Sequence, residues 1–251
     1  MLTHDSHPSK ANHLSHLGTS QELWFLHFGE HSDLEESYSN HKKATELTDD
    51  RHPDKAPFLS NLGYSQELYF LQTGNISDLE GSISNHEKAL ELIDDNDPAK
   101  AGYFSDLGRC QALHFKHFGE SSDLEKSIQN HKKAVELTAD GHPDEAIHLL
   151  TYGDSQKLYF ECFGAKADLI HSISCFKRAA QLDSAYPSQA LHGAQQWTET
   201  AHLNGDLPHH SVPIPDRYVD NTMTLYRGSE VRIPIFCLWH PIWPTLCEST
   251  P

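Results

Sequence analysis

The stretch that decides the fold is His52-Pro53-Asp54-Lys55-Ala56-Pro57-Phe58-Leu59-Ser60-Asn61-Leu62-Gly63-Tyr64-Ser65-Gln66-Glu67-Leu68. Its opening recurs as His7-Pro8-Ser9-Lys10-Ala11, Asp97-Pro98-Ala99-Lys100-Ala101 and His142-Pro143-Asp144-Glu145-Ala146, each start 45 residues from the last. Other types keep the same offsets: Gly18, Gly63, Gly108 and Gly153; Gln21, Gln66, Gln111 and Gln156; Phe25, Phe70, Phe115 and Phe160. A fixed period of this kind marks an array of structural modules.

Within a module the apolar residues step at helical intervals, as in Ala11, Leu14, Leu17, Phe25 and Phe28, so the first half is a helix with one apolar stripe. Proline suits the first helical position, and Gly29, Gly74, Gly119 or Gly164 suits a left-handed stop. The predicted first helix is about 19 residues long. The second opens with Ser32-Asp33-Leu34-Glu35, Ser77-Asp78-Leu79-Glu80 and Ser122-Asp123-Leu124-Glu125, which read as capping boxes. Its expected buried stripe is Leu34, Tyr38, His41, Ala44 and Leu47, with equivalents at Leu79–Leu92 and Leu124–Leu137. Neither helix of such a hairpin can hide its apolar face alone, so successive hairpins must stack. Glycine inside a helix costs about 1 kcal/mol relative to alanine. Gly18 and its equivalents therefore point to close approach of a neighbouring helix, as do Ala44, Ala89, Ala134 and Ala179.

The Leu17-Gly18 pair, Ser37, His41 and Ala44 reproduce the later half of the tetratricopeptide pattern, although that repeat is about 34 residues long. The lengthened unit resembles arrays in fungal proteins built from H-P-D-K and S-D-L-E units. In such proteins the array lies between a P-loop NTPase and a CHAT cysteine-protease-like domain. The resemblance implies an all-α, right-handed α-α superhelix, a tetratricopeptide-like solenoid. It would hold four helical hairpins, starting about residues 7, 52, 97 and 142, and a capping partial repeat from 187 that ends near Gly205. The array spans 1–206. Residues 207–251 hold seven of the 13 prolines and no helical stripe, and are expected to be mostly disordered. No G-x-x-x-x-G-K-S/T motif is present, so neither catalytic neighbour is expected here.

Composition narrows the partners. Thirty-six acidic against 19 basic residues give −17, a sign that disfavours nucleic acid and anionic membrane and favours a basic protein or peptide. The N-terminus lacks a signal-peptide pattern, and the five cysteines contain no C-x-x-C, so the expected setting is cytoplasmic with reduced thiols. The expected state is a monomer or one part of a larger assembly.

Three chemistries compete for the candidate residues. Metal binding would use some of the 20 histidines, but His41, His86 and His131 recur in successive modules, about 10 Å apart if hairpins stack, whereas zinc needs about 2 Å to each ligand. They read as packing rings. Nucleophilic catalysis by Cys162 or Cys175 with His171 has no supporting spacing. No metal, cofactor or enzymatic activity is expected. The third is recognition. Matching the glycines to the tetratricopeptide pattern implies a concave surface lined by first-helix residues, among them Tyr64, Glu67, Arg109, Asp154 and Lys157. Tyr64, Arg109 and Asp154 differ between modules at one offset, as binding residues do where packing residues cannot. The function read from the sequence is a protein-interaction scaffold. The alternative is a regulatory or sensor fragment of a larger NTPase or CHAT-protease-type protein.

Overall fold

The computed structural model describes residues 9–205, and among them every regular element is an α-helix. The tail expectation for 207–251 lies outside the described residues. Two compact units divide the chain between Gly119 and Glu120. The first holds α1 (Lys10–Phe28), α2 (His31–Glu46), α3 (Lys55–Thr73), α4 (Ile76–Leu92) and α5 (Lys100–Phe118). The second holds α6 (Ser121–Leu137), α7 (Glu145–Phe163), α8 (Lys166–Gln181) and α9 (Pro187–Asn204). Within each unit every helix packs on its sequence neighbours, the arrangement of a tetratricopeptide-like stack of hairpins. The third module contributes α5 to one unit and α6 to the other.

The first helices end as the glycines foretold. Gly29, Gly74, Gly119 and Gly164 have φ of 78°, 69°, 76° and 72°, and each N–H donates at 2.7 Å to the carbonyl of Phe25, Phe70, Phe115 or Phe160. Lacking a Cβ, glycine takes this left-handed conformation without strain. The starts differ from expectation. α1, α3, α5 and α7 begin two residues after the proline, and before α3 and α7 His-Pro-Asp makes a turn of its own. The Asp54 and Asp144 amides donate to the imidazole Nδ1 of His52 and His142, at 3.2 and 3.1 Å. Only α9 starts on its proline, with the Tyr186 N–H donating to Gln189 Oε1 at 3.1 Å.

The expected capping boxes do not form. The N-cap positions of α2, α4 and α6 are Glu30, Asn75 and Glu120, so Ser32, Ser77 and Ser122 fall inside the helix, beyond reach of a capping role. The first-turn acids Asp33, Asp78, Asp123 and Asp168 instead meet the positive end of the helix dipole.

The interior stripe of the second helices is also different in kind. Leu34, Ser37, His41 and Ala44 are all 0% exposed, whereas Tyr38 is half-buried and Leu47 is 50% exposed. The same substitution of serine for the larger residue holds at Leu79, Ser82, His86 and Ala89, and at Leu124, Ser127, His131 and Ala134. In α1 the buried set is Ser15, Gly18, Gln21, Glu22 and Phe25, with Leu17 and Phe28 outside it. The close approach inferred from the glycines is present. A Cβ on Gly18 would come within 2.7 Å of the His41 ring, on Gly63 within 2.8 Å of His86, and on Gly153 within 2.6 Å of Phe176. Small residues let the backbones close up until a flat ring lies on glycine.

Candidate functional site

Serine and glycine bring the helices close, and close helices trap polar groups that must then find one another. In the first unit this produces a polar seam along α1, α3 and α5. Asn61 Nδ2 donates to Ser15 Oγ at 3.0 Å. Ser65 Oγ donates to the buried Glu22 carboxylate at 2.5 Å and lies 3.4 Å from Ser37 Oγ. His41 Nε2 lies 3.4 Å from Glu22 Oε1 without hydrogen-bond alignment.

One module later the seam carries a full charge pair. Arg109 Nε and Nη2 both donate to the Glu67 carboxylate at 2.6 Å, a two-pronged grip between α5 and α3. Arg109 Nη1 reaches Asp106 at 3.1 Å, and the guanidinium lies 5.5 Å from the centre of the Tyr64 ring. Burial pushes the Tyr64 phenol above its ordinary range although the Arg109 charge opposes it. The partners overcome burial at Arg109, which stays charged, its pKa well above ordinary. Beneath the pair, burial lowers the His86 pKa to about 4, although the Glu67 carboxylate pulls the other way. Neither His86 ring nitrogen has a hydrogen-bond partner.

Three of the five expected recognition residues, Tyr64, Glu67 and Arg109, thus come together. Glu67 is 2% exposed and acts as an anchor for Arg109 inside the stack. The other two lie on α7 in the second unit. Asp154 is exposed, and Lys157 donates to Gln196 Oε1 of α9 at 3.1 Å with Glu199 at 3.9 Å. The register of Ser15, Ser60 and Ser105, three residues before the glycines of the first helices, is buried at 2%, 7% and 6%. It serves the helix contacts.

Sequence reading passed over the pairing of the recurring glutamine. Asn40 Nδ2 donates to Gln21 Oε1 at 2.7 Å and Asn85 Nδ2 to Gln66 Oε1 at 2.6 Å. The signal was there, since an asparagine follows each of these glutamines at a constant distance of 19 residues. In α8 the equivalent is Cys175, whose Sγ lies 3.9 Å from Gln156 Oε1.

Cys110 and Cys175 are buried thiols whose pKa values are shifted against nucleophilic work. Cys110 is 0% exposed, and burial followed by the Glu67 charge holds its pKa well above ordinary. Burial pushes Cys175 up to about 11. A nucleophilic cysteine needs the opposite shift. Among the described residues no group of three or more His, Cys, Asp and Glu side chains gathers as a metal would require, and no helix is long and apolar enough to cross a membrane.

No family model matches the chain, and no curated protein matches it. Among solved structures it is similar to the crystal structure of MamA protein, at 15% identity and a TM-score of 0.44 over 82% of this chain and 100% of that one. It is also similar to the DHF119 filament, at 14% identity and a TM-score of 0.30, with 80% and 98% covered.

Proposed function

We propose that the chain is a non-catalytic, cytoplasmic interaction scaffold that binds a basic peptide or protein on the face formed by its first helices, the concave face of the array. The observation that carries this reading is a contrast between registers. The glycine register is occupied by Gly18, Gly63, Gly108 and Gly153 throughout, whereas the next residue is Thr19, Tyr64, Arg109 or Asp154. Packing holds the first constant, and the second is open to variation for recognition. Tyr64 and Arg109 form one preorganised element of that surface, an aromatic face under a fixed guanidinium, and Asp154 supplies a carboxylate on α7. The net charge of −17 favours cationic partners and rapid encounter at low salt.

The test is affinity capture from a lysate at about 50 and 300 mM salt, comparing the native chain with Asp154→Arg and Arg109→Lys. Asp154→Arg reverses an exposed charge, and Arg109→Lys keeps the charge while losing the two-pronged geometry. Basic proteins captured at low salt and lost with either variant support the reading. A captured set that is not basic, or that ignores both salt and variants, sinks it.

A further inference from the structure

Two neighbouring seams of the first unit use the same registers and differ in one component. Between α3 and α5 the Arg109 guanidinium fills the seam: both Glu67 oxygens accept from it, Asp106 pairs with its remaining nitrogen, and the Tyr64 ring lies against it. Between α1 and α3, 45 positions earlier, the registers hold Glu22 for Glu67, Asn61 for Asp106, Thr19 for Tyr64 and Tyr64 for Arg109. Oxygen acceptors stay in place at Glu22 and Asn61, and none of these four residues is a cation.

Glu22 is thereby left with a carboxylate that the fold satisfies on one side. The residue is 6% exposed. Its Oε1 accepts from Ser65 Oγ at 2.5 Å and is also the oxygen that His41 Nε2 approaches at 3.4 Å. Its Oε2 accepts no hydrogen bond among the described residues, and it is not sealed from solvent either. The same holds for Asn61 Oδ1, whose amide nitrogen is spent on Ser15, and for the Tyr64 hydroxyl. Carboxylates this deep ordinarily have their acceptors filled, as Glu67 does. Both walls of the seam are described helices, and Glu22 lies about 18 Å along α1 from its first residue. Thr19 is short and exposed, so the way to the carboxylate stays open where, one module later, Tyr64 covers Arg109.

We infer that Glu22, Asn61 and Tyr64 form a binding site for a guanidinium group, the arginine side chain of a partner taking the part that Arg109 plays on Glu67. The inference rests on the reading of this face as a recognition surface, and it narrows the basic partner to one that presents an arginine. Glu22 Oε2 and the Asn61 amide oxygen are the acceptors, and Tyr64 supplies an aromatic ring beside them. Beyond burial, and against Arg109, the Glu67 and Glu22 charges both push the Tyr64 phenol up, so its ring stands within reach of both carboxylates. Two acceptors beside a ring suit a planar, weakly hydrated fork of N–H donors. An ammonium is a compact, strongly hydrated charge and matches that set less well.

The probe is the peptide acetyl-Gly-Arg-Gly amide, titrated into the isotope-labelled full-length chain at neutral pH and read by amide NMR shifts, with acetyl-Gly-Lys-Gly amide and methylguanidinium as comparisons. The expected result is saturable shifts confined to the neighbourhoods of Thr19, Glu22, Asn61 and Tyr64, with a Kd on the order of 1–10 mM. The lysine peptide should bind at least about threefold more weakly. Glu22→Gln should weaken binding at least about tenfold, the worth of a hydrogen bond to a charged group, while its amide oxygen still accepts from Ser65 and the circular-dichroism spectrum is kept. Tyr64→Arg sets a guanidinium in the Arg109 register next to Glu22, so it should fill the site from within, abolish peptide binding and raise the melting temperature. No saturable shift up to about 50 mM peptide overturns the proposal. So does equal binding of the lysine peptide, or binding that Glu22→Gln or Tyr64→Arg leaves intact. Methylguanidinium that binds more tightly than the peptide also overturns it, because the occupant is then a small guanidinium compound. Lysate capture that yields no basic protein while these shifts persist counts against the scaffold reading and not against the site.

Discussion

Glycine and histidine meet at the smallest scale of this molecule, and the contact has a measurable cost when disturbed. Gly63→Ala places a methyl 2.8 Å from His86 Nε2, in a helix interior with no slack. Overpacking of this sort costs about 1–3 kcal/mol, and chemical denaturation should show a loss of that order. In a His86→Ala background the same substitution should cost far less, because the atoms it strikes are gone.

His86 also makes stability depend on pH. Its folded pKa of about 4 lies below the ordinary 6.5, so the unfolded chain binds the proton first as pH falls. The stabilisation is whole above pH 6.5 and drains away as pH drops toward 4, by about 3 kcal/mol. The groups that tune it are the Glu67 carboxylate, which favours the charged ring, and Arg109, which opposes it. His86→Phe should remove this part of the acid sensitivity while keeping the fold. Phe176 already occupies the same register over Gly153. Melting temperatures of the two proteins between pH 4 and 7 make the comparison.

Between elements, the Arg109 fork on Glu67 ties α5 to α3 in the first unit. Arg109→Ala would strand a carboxylate that is 2% exposed, and breaking such a pair costs about 3–5 kcal/mol. Adding Glu67→Gln should recover much of the loss, since an amide tolerates burial better than an unpaired charge. Urea unfolding of the single and double variants measures the difference.

The helices themselves were legible in the sequence, and the contacts between them less so. Proline, glycine and spacing located the hairpins because those residues act on their own backbone. Leu47 looked interior because an apolar count ranks leucine above serine. The stack chose Ser37 and Ser65 instead, since helices that touch at Gly63 and Ala44 leave room only for small side chains. Those side chains are polar and need partners, and a partner two helices away leaves no local trace. For the same reason Glu67 read as a surface residue: its burial depends on Arg109, 42 positions later.

At the scale of the whole chain, the repeat should permit removal of a module, and the polar seam says which one. Excising 55–99 brings α5 into the register of α3. Arg109 then faces Glu22, the counterpart of Glu67, and the charge pair is rebuilt. That shortened chain should fold, with a melting temperature lowered as expected for an array whose stability is a sum over neighbours. Excising 100–144 brings Asp154 into the register of Arg109, facing the buried Glu67 across the new contact. Two carboxylates would share a site from which water is largely shut out, and the product should unfold near neutral pH or require acid to hold together. Thermal scans at pH 5 and 7 separate the two deletions. Polar contacts in the interior therefore fix the sequence in which otherwise alike segments can be joined, so that shuffling by recombination is filtered by electrostatic mismatch well before any question of ligand arises.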